Sequence, residues 1–348
     1  MTADQPSGSE QACGSRGAAV LSHPSQVTAR WLETVLDRRV RSFECRSETS
    51  TWATHVRIVA DVEGMPAPSK LRVKLGSAKV FGRSEVDYYL KTFIDLADAP
   101  LVRCHHAAAD DTHYHLLLDD LTDTHRNQDD VPVTEAYGRG LVESIARLQG
   151  HRWAPSPPEA AAIDASLRGP LAGLPVMLAA MEEGFTASER AKVAEVFDRL
   201  PQALVDRARD PAGFSWVHGD LNPGNILAPS NGAGRVLLID YQPFGVTAPS
   251  QQLAMSDLAY AMVLWWPEAA RREFASRLVD HWYERLHPHG PGRASSGRSA
   301  QDWALCVAQT LLVPASRCSE ADAVTTHRWL WQMHVRRALA ALMDSREW

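Results

Sequence analysis

The chain has 348 residues, with 36 Lys and Arg against 42 Asp and Glu, for a formal net charge of −6. At 45% hydrophobic and 22% charged it is globular and not disordered, and long enough for two lobes that each bury a core. Residues 1–124 hold 14 basic and 17 acidic side chains and the rest hold 22 and 25, so each part is −3. That excludes a basic arm or an acidic tail and argues against nucleic acid as a partner, which would need a clustered basic surface.

Five scattered cysteines (Cys13, Cys45, Cys104, Cys306, Cys318) form no C-x-x-C. This points to a reducing compartment without a disulfide framework or zinc knuckle. Residues 1–18 lack a basic-then-apolar signal pattern, and the apolar stretches Ala259–Trp266 and Ala304–Ala315 are too short to span a bilayer. The expectation is a cytoplasmic protein without membrane contact. Of the 36 basic residues only 5 are Lys, and four of these (Lys70, Lys74, Lys79, Lys91) fall within 22 residues.

In chain order, residues 1–20 read as a flexible tail. A helix follows, capped near Ser22 or Ser25, with Val27, Trp31, Leu32 and Val35 on one stripe. Val56–Val62 alternates as a strand, Gly64–Pro68 is a turn, and Lys70–Leu75 is a second strand, making a hairpin-like pair. Ser84–Leu96 reads as a helix with Val86, Tyr89, Leu90 and Phe93 on one face. His113–Leu118 reads as a strand that ends at Asp119-Asp120-Leu121. From about residue 133 the pattern is helical, interrupted by one strand-loop-strand segment, Phe214–Ile239. Pro155–Pro158 and His287–Ser299 read as loops. The division expected is a tail at 1–20, a β-rich lobe at 21–121 and a mainly helical lobe at 122–348.

The strongest signal is Phe-Ser-Trp-Val-His218-Gly-Asp220-Leu-Asn-Pro-Gly-Asn225, followed by the apolar run Val236–Ile239 ending on Asp240. Phosphoryl transfer needs one carboxylate where an acceptor hydroxyl loses its proton, and further oxygen ligands that hold Mg²⁺, a hard cation, on nucleotide phosphates. H-x-D-x4-N alone is a weak pattern. A strand-borne Asp240 fifteen residues after the Asn and a downstream Ser256-Asp257-Leu-Ala-Tyr260 make it specific.

These motifs resemble the aminoglycoside phosphotransferase and choline kinase group, relatives of the protein kinases, and more narrowly the ecdysteroid-kinase-like branch. The resemblance covers about residues 24–262. It implies an α+β, protein-kinase-like two-lobed fold, with a small β-rich N-terminal lobe binding nucleotide and a larger mainly helical C-terminal lobe binding acceptor. It implies Asp220 as catalytic base, Asn225 and Asp240 as Mg²⁺ ligands, and His218 and Asp257 as supports of the catalytic loop. The co-substrate would be ATP or GTP.

The first lobe tests this independently. In Leu71-Arg-Val-Lys74-Leu the apolar residues face one way and Lys74 the other. A kinase-like fold needs such a lysine on the phosphates and a helix glutamate to hold it, here Glu85 in Arg-Ser-Glu85-Val-Asp-Tyr-Tyr. Lys70, Lys79 and Asp87 are the alternatives. His115-Leu-Leu-Leu-Asp119-Asp120-Leu121 is similar to the family's hinge, whose backbone pairs with the base. The phosphate-covering loop, around Arg46–His55, departs from the family: no glycine lies between Gly17 and Gly64. Glycines let backbone N–H groups approach phosphate. Hydroxyls of Ser47, Thr49, Ser50 and Thr51 stand in their place.

Other chemistries lack support. His105-His106, His113-x-His115 and His287-x-His289 are short pairs without H-E-x-x-H, and G-x-S-x-G and G-x-x-x-x-G-K-[ST] are absent. The tryptophans sit mainly on helical stripes, where core packing is the default. The expectation is a Mg²⁺-dependent O-phosphotransferase, monomeric or homodimeric, acting on a small hydroxylated acceptor such as an antibiotic or secondary metabolite. A catalytically silent pseudokinase-type binding module on the same fold stays open because of the glycine-free loop.

Overall fold

The computed structural model describes residues 18–50, 53–151, 153, 156–232, 234–241, 251–286, 296–319 and 323–345. The chain divides into two compact units, one formed by Met1–His125 with Ile239–Ala248, the other by Arg126–Leu238 with Pro249–Trp348.

The first unit opens with a 3-10 turn, Pro24–Gln26, and then helix α1, Ala29–Leu36. The helix expected to start near Ser22 or Ser25 therefore starts later. Pro24 directs the chain into the short turn, and Thr28, whose hydroxyl accepts the Trp31 N–H at 3.2 Å, is the true cap. Strands β1 (Val40–Thr49), β2 (Ala53–Val62) and β3 (Ser69–Ser77) lead to short helices α2 (Ala78–Phe81) and α3 (Ser84–Asp87). The helix expected over Ser84–Leu96 is shorter and widens into a π-helical stretch, Tyr88–Thr92. Strands β4 (Cys104–Ala109) and β5 (His113–Asp119) complete an antiparallel sheet in the order β1-β2-β3-β5-β4.

Alternation on β2 and β3 decides what the sheet buries. Val56, Ile58, Ala60 and Val62 pack with Leu71, Val73 and Leu75 against Trp31, Leu32 and Val35 of α1 in one core. Each large aliphatic side chain buried there contributes about 1.5–3 kcal/mol. The residues between them, among them His55, Arg57, Arg72 and Lys74, face the opposite side. Two histidines tie the unit's start to the sheet: His115 Nδ1 accepts the Leu21 N–H at 3.0 Å, and its Nε2 lies 3.0 Å from His106 Nδ1.

Strand β6 (His125–Asn127) leads into the second unit. Its helices are α4 (Glu135–His151), α5 (Ala160–Ala180) and α6 (Ala187–Ala208). Short strands β7 (Phe214–Trp216), β8 (Ile226–Pro229), β9 (Leu237–Leu238) and β10 (Gln251–Leu253) follow. Then come α7 (Met255–Ala259), a π-helical continuation over Tyr260–Trp265, α8 (Glu268–Leu286), α9 (Ser296–Gln309), α10 (Leu312–Arg317), α11 (Ala323–Thr326) and α12 (Arg328–Asp344). The expected loop His287–Ser299 is corrected at its end, where Ser296 already begins α9. Gly173 lets α5 and α10 approach closely, since a Cβ there would lie 1.9 Å from the Ala315 carbonyl oxygen. Trp266, Trp282 and Trp331 are buried core residues, whereas Trp329 is 66% exposed. Among the described residues no helix is long and apolar enough to cross a membrane.

Candidate functional site

The first unit brings Lys74, Glu85 and Asp240 together. Lys74 Nζ lies 2.8 Å from Glu85 Oε2 and 2.7 Å from Asp240 Oδ1. Lys74 is buried although it sits on a strand of aliphatic residues, because alternation turns it to the face opposite the core. Burial works against its ammonium, but the Glu85 and Asp240 carboxylates prevail and hold its pKa above the ordinary lysine range. Burial also raises the Glu85 pKa, with Lys74 opposing. Charges this deep persist only when paired. Of the alternatives, Lys70 pairs with Asp123, and Asp87 pairs with Lys91.

Two further contacts shape this cluster, and the sequence reading missed both. Gly76 lies beneath the Tyr114 ring: a Cβ on it would come within 2.3 Å of that ring. The Tyr114 hydroxyl is a hydrogen-bond partner of Glu85 and lowers its pKa. Tyr241, directly after Asp240, stacks on Tyr88 with centroids 4.1 Å apart and planes 6° from parallel. Asp240 itself has φ +61°, a left-handed conformation uncommon for a non-glycine residue. His55 faces the same side as Lys74. Burial, then Lys74 and Arg72, push its pKa down to about 4, so its ring is neutral near pH 7.

The second unit builds its cluster around Asp220. Strand β7, paired with β10, feeds a loop whose Gly219 has φ +82°, a conformation glycine takes at no steric cost. The buried Asp257 on α7 holds this loop. Its Oδ2 accepts the His218 N–H at 2.8 Å and its Oδ1 the Gly219 N–H at 2.9 Å. Gln149 of α4 donates to Asp257 Oδ2 at 3.0 Å, and Trp282 Nε1 fixes Gln149 at 3.0 Å. Burial raises the Asp257 pKa, and His218 with these donors offsets part of that.

Asp220 receives three neutral donors. Tyr260 Oη at 2.8 Å and Asn222 Nδ2 at 3.0 Å meet Oδ1, and Asn225 Nδ2 at 3.2 Å meets Oδ2. Asn225 Nδ2 also reaches the Asp220 carbonyl oxygen at 2.8 Å. With its N–H groups committed, the Asn225 amide presents its oxygen as the end left for a cation. Asp240 has one oxygen on Lys74 and a second one free of it. Both are hard oxygen donors that fit Mg²⁺, which takes one or two protein ligands and completes its shell with phosphates and water. Among the described residues, no group of three or more His, Cys, Asp or Glu could hold a metal by itself.

The remaining expected residues are placed as follows. At the end of β1 the Ser50 N–H and hydroxyl both bond the carbonyl oxygen of Ala53, the first residue of β2, at 2.8 and 2.9 Å. Thr49 Oγ1 lies 3.4 Å from Thr54 Oγ1, and Ser47 is exposed on β1. Thr51 lies outside the described residues. Asp119 bonds His105 Nε2 at 2.6 Å, and the Leu121 carbonyl oxygen accepts the Thr124 and His125 N–H groups, each at 2.9 Å. Asn222 and Tyr260 stand inside the quoted motifs and were readable there. Gln149 had no signal, because its partner is 108 positions away.

The model of the phosphotransferase enzyme family matches residues 89–294. Among solved structures, the chain is similar to choline kinase from Cryptosporidium parvum Iowa II, at 11% identity and a TM-score of 0.54, covering 88% of this chain and 89% of that one. It is also similar to an aminoglycoside phosphotransferase from Alicyclobacillus acidocaldarius, at 13% identity and a TM-score of 0.50, covering 95% and 97%. At such identities the likeness speaks to the protein-kinase-like fold. No curated protein matches the sequence.

Proposed function

The chain belongs to the phosphotransferase enzyme family and is a kinase, and from that premise we propose that it moves the γ-phosphoryl group of ATP or GTP to a hydroxyl of a small acceptor. The observation that carries this reading is the Asp220 carboxylate, held by Tyr260, Asn222 and Asn225 with no cation touching it among the described residues. Oδ1 takes the two shorter bonds and Oδ2 only the longest. Oδ2 is therefore the oxygen with lone-pair capacity for an acceptor hydroxyl, which it orients and whose proton it receives as the phosphoryl bond forms.

The other groups fall into roles around that step. Lys74, buttressed by Glu85, neutralises nucleotide phosphate charge. The Asn225 amide oxygen and the Asp240 carboxylate are the candidate Mg²⁺ ligands, and the ion when bound would neutralise phosphate charge. His218 and Asp257 keep the Asp220 loop in place. The first unit is the nucleotide-binding lobe, the backbone at Asp119–Leu121 its hinge, and the second unit the acceptor-binding lobe. The acceptor class best suited to the motif resemblance is an antibiotic or secondary metabolite with a free hydroxyl.

A second reading, the catalytically silent module, draws on one observation: Ser50 spends its N–H and hydroxyl on Ala53 at the turn where relatives carry glycines. One experiment separates the two. Purified protein is incubated with Mg²⁺, ATP or GTP and a panel of hydroxylated antibiotics, nucleosides and sterols, with Asp220→Ala as control. A phosphorylated product seen by mass spectrometry with wild type and absent with the variant supports the kinase reading. Nucleotide binding by calorimetry without product from any acceptor supports the silent module.

A further inference from the structure

The face of the first unit's sheet that carries Lys74 is unusual for one that receives a nucleotide base. Cross-strand register pairs His55 with Lys74 and Arg57 with Arg72. Adjacent to Lys74, where a flat apolar surface would be the simple way to hold a purine, stand two guanidinium groups. One carboxylate tethers both: Asp120 Oδ2 lies 3.7 Å from Arg72 Nη2 and 4.0 Å from Arg57 Nε. Thr122 bonds the same carboxylate through its hydroxyl and its N–H, which fixes Asp120 in turn. The tether is loose, since neither distance to a guanidinium nitrogen is a full hydrogen bond.

Two nitrogens on this face are buried and have no hydrogen-bond partner among the described residues: His55 Nδ1 and Arg57 Nε. Each unmet polar group costs about 1–3 kcal/mol. Both belong to β2, two positions apart on one face, beside the cation that serves phosphate. Glu48 does not relieve Arg57, since its Oε2 meets a different nitrogen, Nη2, at 3.6 Å. Unmet polar nitrogens at i and i+2 flank a paired lysine; Arg57 Nε is a donor, and His55 Nδ1 is one in the tautomer that carries its proton there, so the two suit an anionic, lone-pair-rich ligand. Ser50, at the end of β1, commits its own N–H to the Ala53 carbonyl oxygen.

We propose that β2 and β3 form a side-chain nucleotide platform, in which the guanidinium planes of Arg57 and Arg72 carry the base and His55 bonds a phosphate oxygen beside Lys74. Arg57 Nε, whose N–H lies in the guanidinium plane, then bonds a ribose or phosphate oxygen of the same nucleotide beyond the edge of the base. A guanidinium is planar and weakly hydrated, so it stacks on a π-face in a way that an ammonium does not. Stacking tolerates any base, because every base has such a face. The inference rests on the reading of Lys74 as the phosphate-holding lysine.

The test is calorimetric binding of Mg-ADP, Mg-GDP and Mg-pyrophosphate, which have two phosphates each and differ in the base. Wild type is expected to bind the two nucleotides within a few fold of each other and both at least about tenfold tighter than pyrophosphate, the scale of one stacked base. Arg57→Lys with Arg72→Lys keeps both charges and removes the planes. It should weaken ADP about tenfold and leave pyrophosphate within about twofold. His55→Ala should weaken ADP and pyrophosphate alike, and His55→Gln, which returns an N–H, should recover part. Nucleotide binding no tighter than pyrophosphate in wild type, which needs no variant to fold, overturns the platform and leaves the Lys74 reading intact. An unchanged ADP affinity in the double lysine variant also overturns it. Wild type that binds neither pyrophosphate nor nucleotide removes the Lys74 reading, and the platform with it.

Discussion

The two units fix their reactive groups in opposite ways. In the first, Lys74, Glu85 and Asp240 are held by full charges, 2.7 and 2.8 Å apart, with Lys74 and Glu85 largely out of water. In the second, Asp220 is held by a phenol and two amides, and the supporting Asp257 by two backbone N–H groups and Gln149. A charge pair anchors strongly but leaves a buried ion behind if one member is lost. Neutral donors anchor by direction and bring no counter-charge. The first arrangement keeps its groups charged, and the second fixes the direction of the carboxylate that is proposed as the base.

The sharpest break of that comparison is Asp220→Asn. Transfer, followed by product mass spectrometry, should fall about 10²–10⁴-fold, the range for a general base. The unfolding midpoint in denaturant should move little, because the amide still accepts at one oxygen. Next comes Glu85→Gln, which leaves Lys74 against a neutral amide with only the part-exposed Asp240 as counter-charge. Breaking a buried pair costs about 3–5 kcal/mol, so chemical denaturation should show a large loss of stability where Asp220→Asn shows little. Lys74→Met with Glu85→Gln should recover much of it, as removing both charges is milder than removing one.

A third expectation concerns acid. His115 accepts the Leu21 N–H through Nδ1, so its own proton sits on Nε2 and is donated to His106. Burial, then His106, depress its pKa to about 4. A histidine with a depressed folded pKa takes up protons in the unfolded chain first. Its stabilisation is therefore complete above about pH 6.5 and is lost as pH falls from about 6.5 toward about 4. Denaturation monitored across that window should show a loss on the order of 3 kcal/mol. His115→Gln, which keeps an acceptor for Leu21, should remove that share and leave the share of His55 and His334, whose pKa values burial likewise depresses, to about 4 and about 3. The smallest effect is Tyr260→Phe: one of the two donors on Asp220 Oδ1 goes, and the transfer rate should drop about tenfold, in line with a hydrogen bond to a charged group at about 1.5 kcal/mol. Unchanged kinetics would show that Asn222 and Asn225 suffice.

Much was legible from local pattern. Alternation placed Lys74 opposite Leu71, Val73 and Leu75, and the H-G-D-x4-N spacing with its trailing strand located Asp220, Asn225 and Asp240. Where Pro24 and Thr28 put the first helix, and where the Ser84 helix widens at Tyr88, were misjudged, because caps and π-turns depend on single hydrogen bonds that periodicity does not register. The glycine-free stretch was noticed, yet its consequence was sought in hydroxyls of Ser47, Thr49, Ser50 and Thr51. In the structure Ser50 bonds the Ala53 carbonyl oxygen, and the proposed platform rests instead on His55, Arg57 and Arg72.

By itself the sequence determined the family, the two-part division into strand-rich and helical regions, and which side chains carry charge at motif spacing. These follow from residue type and interval along the chain, which folding cannot alter. Only the tertiary structure decided the partners: Glu85 and Asp240 on one lysine, Tyr260 beside Asn225 on Asp220, Gln149 beneath Asp257, Asp120 between two arginines. Each joins residues far apart in sequence or on different elements, and a buried polar atom takes whatever partner the packing brings within about 3 Å.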